Sequence, residues 1–316
     1  MNGLRLLATR LIQAVPVLLL VAVLSFFLMH LLPGDPAVVI AGADASAEAI
    51  GRLRAELGLD RPLLEQLWHW AAQLAQGNFG RSLGLNQSVL SAVWERLPVT
   101  LSLALLAFSI TLPVGMLLGV LAACYRGTRI DSLVMGIALL GVSLPSFWIA
   151  IVSVIVFSVT LGWVPSSGYV PLSESPGRWF ASLVQPAAVL ALFQIGYLAR
   201  MTRSAMLDVL NQDYIRTARA KGVSEFQTVF KHGLRNALMT VITASGIIFS
   251  LLIGGSVVLE QVFALPGVGR MVVQGIMARD YPLIQGTLLL FGFAFVLVNF
   301  LVDMAYTLVD PRVRYD

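Results

Sequence analysis

Charge, cysteine and lysine are all scarce in this sequence. Across 316 residues only 12% are Asp, Glu, Lys or Arg, about half the share of an average soluble domain. A surface solvated all round by water is therefore excluded. The one cysteine, Cys124, rules out an intrachain disulfide, and His30, His69 and His232 are too scattered to form a ligand cluster. No metal, redox role or bound cofactor is expected. Lysine occurs only at Lys221 and Lys231, and neither follows glycine. A Gly-Lys-Ser/Thr loop that would cradle nucleotide phosphates is thus missing, and ATP hydrolysis by this chain is excluded. The HExxH word of zinc proteases and the Gly-x-Ser-x-Gly nucleophile turn are missing too. Serines in apolar stretches, such as Ser143, read as helix-packing residues.

What the sequence has instead is long apolar runs, with 58% hydrophobic residues overall. About 20 consecutive apolar residues carry a helix across the hydrocarbon core. Six such spans are drawn, at Leu11–Leu32, Thr100–Ala123, Leu133–Leu161, Leu183–Ala199, Leu238–Leu259 and Leu283–Val309. The expected class is an all-α polytopic membrane protein with six transmembrane helices. The first run follows Arg5 and Arg10 but is longer than a signal-peptide core and lacks a small-x-small cleavage site, so it is expected to be retained. Basic residues gather at the N-terminus, at Arg126 and Arg129, between Arg200 and Arg235, and at Arg312 and Arg314. Positive charge collects on the cytoplasmic side, which predicts both termini inside. That distribution accounts for the net charge of +4 without nucleic acid.

The segment 33–98 is expected to form a small helical insertion on the outer face, between the N-terminal stretch 1–32 and a five-helix core 99–316. In it Ile50, Leu53 and Leu57 recur at helical spacing before Gly58, and Leu63, Leu67, Trp70 and Leu74 make a second stripe after Pro62 that Gly77 ends. Both stripes read as packing, with substrate contact by Trp68 or Trp70 as the lesser alternative. Pro113, Pro145 and Pro186 lie in apolar runs, where each removes a backbone hydrogen bond and predicts a kink. Gly115 and Gly119, four apart, suit close approach of another helix.

The most informative stretch is the polar connection Asp213–Arg235, DYIRTARAKGVSEFQTVFKHGLR, within the loop 211–235. Asp213 is expected to cap a helix from Tyr214 to Lys221 that stops at Gly222. Ser224 with Gln227 fits a capping box that starts a second helix. Small residues (Ala218, Ala220) alternate with cations (Arg216, Arg219, Lys221), a surface that suits docking of another protein. Lying on anionic headgroups, or capping the bundle with no partner, are the competing readings.

This stretch resembles the cytoplasmic EAA-type loop of ABC importer permeases. Arg216, Thr217 and Ala218 stand at the opening positions and Gly222 at the glycine, in the form shown by the dipeptide/oligopeptide branch, with the words DYIRTARAKG and HGLRNA. LPGDP at Leu32–Pro36, ELGLDRP at Glu56–Pro62, EQVFALPGVGR at Glu260–Arg270 and RDYP at Arg279–Pro282 extend the resemblance over nearly the whole chain. It implies a type I importer half-pore in a bacterial inner membrane, paired with a homologous permease. Two ATPase subunits, holding ATP and Mg, would dock on the loops, and a periplasmic binding protein would deliver substrate. The docking residues it implies are Asp213, Tyr214, Arg216, Thr217, Ala218, Arg219, Lys221, Gly222, Lys231 and His232. Peptide is the expected substrate, with glutathione or a nickel chelate as alternatives, and alternating access as the mechanism.

Ionisable residues inside spans are costly and mark function, which points to Asp303, on the pathway or paired between helices. Arg200 and Arg203 are expected to snorkel to the inner surface. Glu260 with Phe263 is expected either to form an outer gate or to anchor a loop. Gln194, Tyr197 and Ser250 are candidates to face a water-filled path. An ion-coupled transporter would need buried acids or histidines near midspan, of which there are few. An intramembrane enzyme would need a nucleophile–base or metal constellation, and none is found. A scaffold that only binds partners would share the loop but move no substrate.

Overall fold

Apolar runs in this protein fold into helices that outlast the runs themselves. The computed structural model describes residues 15–27, 36–42, 45–56, 58–82 and 84–309. Arg5, Arg10, Arg312, Arg314, most of the word LPGDP and the side chain of Asp303 lie outside what is described. Among the described residues, four helices are long and apolar enough to cross a membrane: α5 (Val89–Cys124), α8 (Pro176–Leu210), α10 (Glu225–Val262) and, after the short α11 (Val268–Met277), the stretch Tyr281–Val302 of α12 (Tyr281–Val309). Hydropathy located only their lipid-compatible middles. Hydrogen bonding carries the helices on into flanking polar sequence, so the expected Leu183–Ala199 becomes 35 residues.

The third span is corrected. Leu133–Leu161 is two helices, α6 (Arg129–Ser143) and α7 (Ser146–Thr160). Leu144 is extended, with φ −95° and ψ 141°, ahead of Pro145. A residue preceding proline is pushed out of the helical region by the pyrrolidine ring, so the chain breaks there rather than kinking. The second half of α7 widens into a π-type stretch, Val154–Thr160. Pro113 and Pro186, by contrast, sit inside α5 and α8 without ending them.

The chain forms two compact units. The first comprises Met1–Pro98 with Arg270–Val296. It holds α1 (Val15–Phe27), α2 (Pro36–Ala41), α3 (Ala47–Glu56) and α4 (Leu63–Ala75). A two-stranded antiparallel hairpin follows, β1 (Arg81–Ser82) and β2 (Gln87–Ser88), with Ser82 opposite Gln87. Gly58 and Gly77 take the positive φ of helix stops, as their positions predicted. Pro62 stands one place earlier than expected, at the N-cap of α4. Leu67, Trp70 and Leu74 are half-buried, Trp70 with its ring 5.6 Å from Phe26 of α1, while Leu63, the first residue of the expected stripe, is exposed, as are Leu64 and Trp68.

This unit is tied by Asp280 at the start of α12. Its buried carboxylate accepts hydrogen bonds from the Ser82 hydroxyl, the Gly84 amide at 3.0 Å and the Leu283 amide at 3.2 Å. The hairpin is thereby fastened to a residue about 200 positions away.

The second unit comprises Val99–Gly269 with Leu297–Asp316. Its core is α8, which buries Leu183, Leu190, Leu198 and Met206, against Ile248, Leu252 and Leu259 of α10. Gly115 and Gly119 of α5 meet α8 as their spacing predicted: a Cβ at Gly119 would lie 2.6 Å from the Ala199 carbonyl oxygen. Backbones so close leave no room for side chains at the crossing.

Candidate functional site

Two clusters of sequence-predicted residues take shape in the second unit. The first is the polar connection. Its first helix, α9 (Asp213–Ala220), begins one residue early. Gln212 stands at the N-cap and Asp213 lies in the first turn, 3.5 Å from Arg216. Asp213 acts through its charge at the helix start rather than as a cap. At the other end the Val223 amide reaches the Ala218 carbonyl (3.2 Å) and the Gly222 amide the Arg219 carbonyl (3.0 Å), with Gly222 at φ +78°. This is the glycine-stopped double bond of a helix C-terminus. The Ser224 hydroxyl then accepts from the Gln227 amide at 3.4 Å and starts α10, half of the expected capping box.

The element is held down by Ile215, which is fully buried, and by a small core in which Val120 and Ala123 of α5, Met206 of α8, and Val229 and Ala237 meet. Arg219 crosses the turn to Glu225 with two bonds, 2.8 and 3.3 Å. Asn236 donates to the Tyr214 hydroxyl (3.0 Å) and to the His232 carbonyl (2.7 Å). Tyr214, Arg216, Thr217, Lys221, Gly222 and Lys231 stay exposed, and Ala218 and His232 are half-covered. Beside them Phe226 and Phe230 present an exposed ring pair, 4.7 Å apart. From Thr228 to Leu234 the helix widens into a second π-type turn.

The second cluster lies at the opposite end of α10. Glu260 is completely buried and accepts from the Thr100 hydroxyl at 2.7 Å, with the Ser256 hydroxyl at 3.1 Å. Thr100 in turn accepts from the Val268 amide at 2.9 Å. The loop after α10 thus folds back over the carboxylate, so close that a Cβ at Gly267 would collide with it. Phe263 is buried, and its carbonyl accepts from the Gly168 amide. These bonds are those of a loop anchor, one of the two roles expected for Glu260.

Gln194 and Tyr197 sit half-buried on α8, and the half-buried Ser250 returns its hydroxyl to the Gly246 carbonyl at 3.2 Å. Sequence reasoning also missed the partner of Arg203. Arg203, expected to snorkel, instead grips Asp131 of α6 through Nε and Nη2, both at 2.7 Å. The Arg203 hydrogen bond, helped by the Gly127 amide, holds the Asp131 carboxyl below the usual carboxylate range. The two residues are 72 positions apart, and only the rarity of an acid beside an apolar run marked Asp131.

Fold and site together define a class: a multi-span helical membrane subunit that carries a folded polar connection and, among the described residues, no cluster able to hold a metal. Residues 115–315 match the family described as binding-protein-dependent transport system inner membrane component, and residues 3–104 match its N-terminal counterpart. A Brucella abortus (strain 2308) protein is 62% identical over 311 residues, 98% of this chain and 99% of its own length; it bears the provisional name of a peptide transport system permease. The glutathione transport system permease GsiC of Shigella boydii serotype 4 (strain Sb227) is 44% identical, covering 97% of each chain. Among solved structures, an inward-facing MetNI methionine ABC transporter chain matches 70% of this chain and 96% of its own, with TM-score 0.54 and 26% identity. The chain belongs to the binding-protein-dependent transport system inner membrane component family. It is a multi-pass inner-membrane permease subunit of an ABC importer, with the type I permease fold, and not a catalytic subunit.

Proposed function

We propose that this chain is one half of a peptide-conducting pore, and that the connection 211–235 is where an ATPase subunit docks. The observation that carries the reading is the folded turn at Gly222. An exposed, amphipathic α9 is pinned by Ile215 and the cap at Ser224, while Arg216, Thr217 and Lys221 face outward. A solvated linker would not need a buried anchor and two satisfied helix ends.

In this reading the six spans are α1, α5, α6 with α7, α8, α10 and α12, and both termini are cytoplasmic. The insertion 33–98 faces outward, and the five-helix core 99–316 completes the permease. A homologous permease completes the pore, two ATPases supply ATP and Mg chemistry, and a periplasmic binding protein delivers substrate. ATP binding moves the docked loops and opens the spans outward; product release resets them. The ATPase shifts this equilibrium only through contacts with Arg216–Gly222 that differ between its ATP-bound and empty states. Gln194, Tyr197 and Ser250 are assigned to the pathway. Peptide is favoured by the relative named for peptide transport, and glutathione, itself a modified tripeptide, is the second reading on the strength of GsiC.

The test is co-purification of the ATPases and substrate-stimulated ATP hydrolysis by the reconstituted complex. Arg216→Glu and Gly222→Trp are expected to lose both while the permease stays folded, and short peptides to stimulate more than glutathione. Unchanged docking and hydrolysis in both variants would refute the docking surface, and stimulation by glutathione alone would replace peptide as substrate.

A further inference from the structure

Three contacts join α6 to α8 in one register. Asp131 meets Arg203, Ala138 meets Gly196, and Gly141 meets Leu192. The steps of seven, then three, up α6 are matched by steps of seven, then four, down α8, so the helices run antiparallel with their backbones in contact. The two glycine contacts are direct: a Cβ at Gly196 would strike the Ala138 carbonyl, and one at Gly141 would lie 3.1 Å from the Leu192 carbonyl oxygen. Apolar contact alone leaves two helices free to slide or twist. The third contact removes that freedom.

At this end the guanidinium of Arg203 places Nε and Nη2 on the two oxygens of Asp131, both at 2.7 Å. Two parallel N–H···O bonds fix an angle as well as a distance. The Gly127 amide adds a bond to Oδ2 at 3.0 Å, tying in the turn between α5 and α6. The Asp131 side chain is 9% exposed and that of Arg203 27%, so salt screens the pair less than a surface ion pair. Both ends of α6 are joints: Gly127, at φ +77°, lies before it, and the Leu144–Pro145 break lies after it. Arg203 stands ten residues before α9 on the helix that leads into it, with only Asn211 and Gln212 between α8 and α9.

Building on the docking reading above, we propose that Asp131 and Arg203 are a positioning pair of the transport cycle. They clamp α6 to α8, so that displacement of α9 by an ATPase is carried into α6 instead of being absorbed at the turn 125–128. The pair touches neither substrate nor nucleotide. It acts by making two helices one body at the end nearest the docking element.

The test uses the full complex with its ATPases, in a Cys124→Ser background. One reporter cysteine is placed at Ser143, at the far end of α6, and in a separate variant one is placed at Asn211, between α8 and α9. Labelling rates with a water-soluble maleimide are read with and without ATP and vanadate. With the native pair, both rates change on trapping. In Asp131→Asn and in Arg203→Lys the ratio at Asn211→Cys persists while the ratio at Ser143→Cys falls to about one, because the driven element no longer biases α6. The exchange Asp131→Arg with Arg203→Asp restores the Ser143→Cys response.

A purely structural pair would lower the yield of complex in all three variants and leave both ratios unchanged, which overturns the proposal. Failure of the exchange to restore a lost response overturns it as well. If neither reporter responds to ATP with the native pair present, the docking reading itself fails, and the clamp has no motion to transmit.

Discussion

Replacing Gly119 by alanine should destabilise the permease although it adds a single methyl group. The added Cβ would lie 2.5 Å from the Thr202 Cβ and 2.6 Å from the Ala199 carbonyl oxygen, where ordinary contact begins near 3.4 Å. The carbonyl belongs to the α8 backbone and cannot rotate away, so α5 and α8 must part by about 0.8 Å to relieve it. A gap of that size forfeits roughly a quarter to a half of the dispersion well between the facing atoms. Overpacking of this kind costs about 1–3 kcal/mol, and at roughly 2.1 cal/mol/K of unfolding entropy per residue each kcal/mol lowers the melting temperature of a chain this long by about 1.5 °C.

Two controls grade the effect. At Gly115 the nearest obstacle is the Leu198 Cβ at 2.9 Å, a milder overlap than at Gly119, so Gly115→Ala should cost less. At Gly136 nothing lies within 4 Å, and alanine there should stabilise by roughly 0.5–1 kcal/mol through helix propensity. Thermal stability of the detergent-purified protein, read by size-exclusion chromatography after heating, gives all three values. If Gly119→Ala melts with Gly136→Ala, the close α5–α8 crossing is wrong.

Asp280→Ala leaves the Ser82 hydroxyl and the Gly84 and Leu283 amides without their acceptor. At about 1–3 kcal/mol for each buried group left unsatisfied, the hairpin should become a protease target around residues 78–92, and an uncut hairpin would contradict the tie. Gly267→Ala forces a methyl onto the Glu260 carboxylate and should lower thermal stability more than Glu260→Gln, which keeps the shape. The reverse order in the same heating assay would show that the carboxylate's charge, not the fit of the loop, is what matters. Asp131 has a folded-state pKa below its unfolded value. Its contribution to stability is therefore full above the unfolded pKa of about 3.9 and is lost as pH falls through the folded value. Asp131→Asn should accordingly flatten the fall in stability below about pH 4, and a melting profile of native steepness in the variant would remove this pair from the acid response.

The folded connection 211–235 was legible because its signals are local. Gly222 stops a helix and Ser224 starts the next through bonds that span five residues or fewer, and both positions emerge as the sequence implied. Asp213 misled by one place, since an acidic residue suits both the cap and the first turn of a helix. Hydropathy found the apolar runs but not where their helices end, because lipid contact and backbone hydrogen bonding stop at different residues. It also ran straight through Leu144–Pro145, where the run stays apolar while the helix breaks. Asp131 with Arg203, Thr100 with Glu260, and Ser82 with Asp280 were out of reach. Their partners lie 72, 160 and 198 positions apart, and nothing local names one to the other.

The widened turn Thr228–Leu234 between α9 and the long apolar stretch of α10 also has a bearing on how the sequence tolerates length changes. A π-type turn holds one residue more than regular α-helix over the same axial distance, and each residue of an α-helix advances the azimuth by about 100°. Deleting any single residue of this stretch would let the helix close into regular form with all its hydrogen bonds made. Because the widened turn takes up its extra residue over the same axial distance, Ser224 and Phe226 would keep their azimuth around the α10 axis. A single-codon deletion here should therefore be tolerated, whereas the same deletion in the regular part of α10 would turn all that precedes it by about 100°.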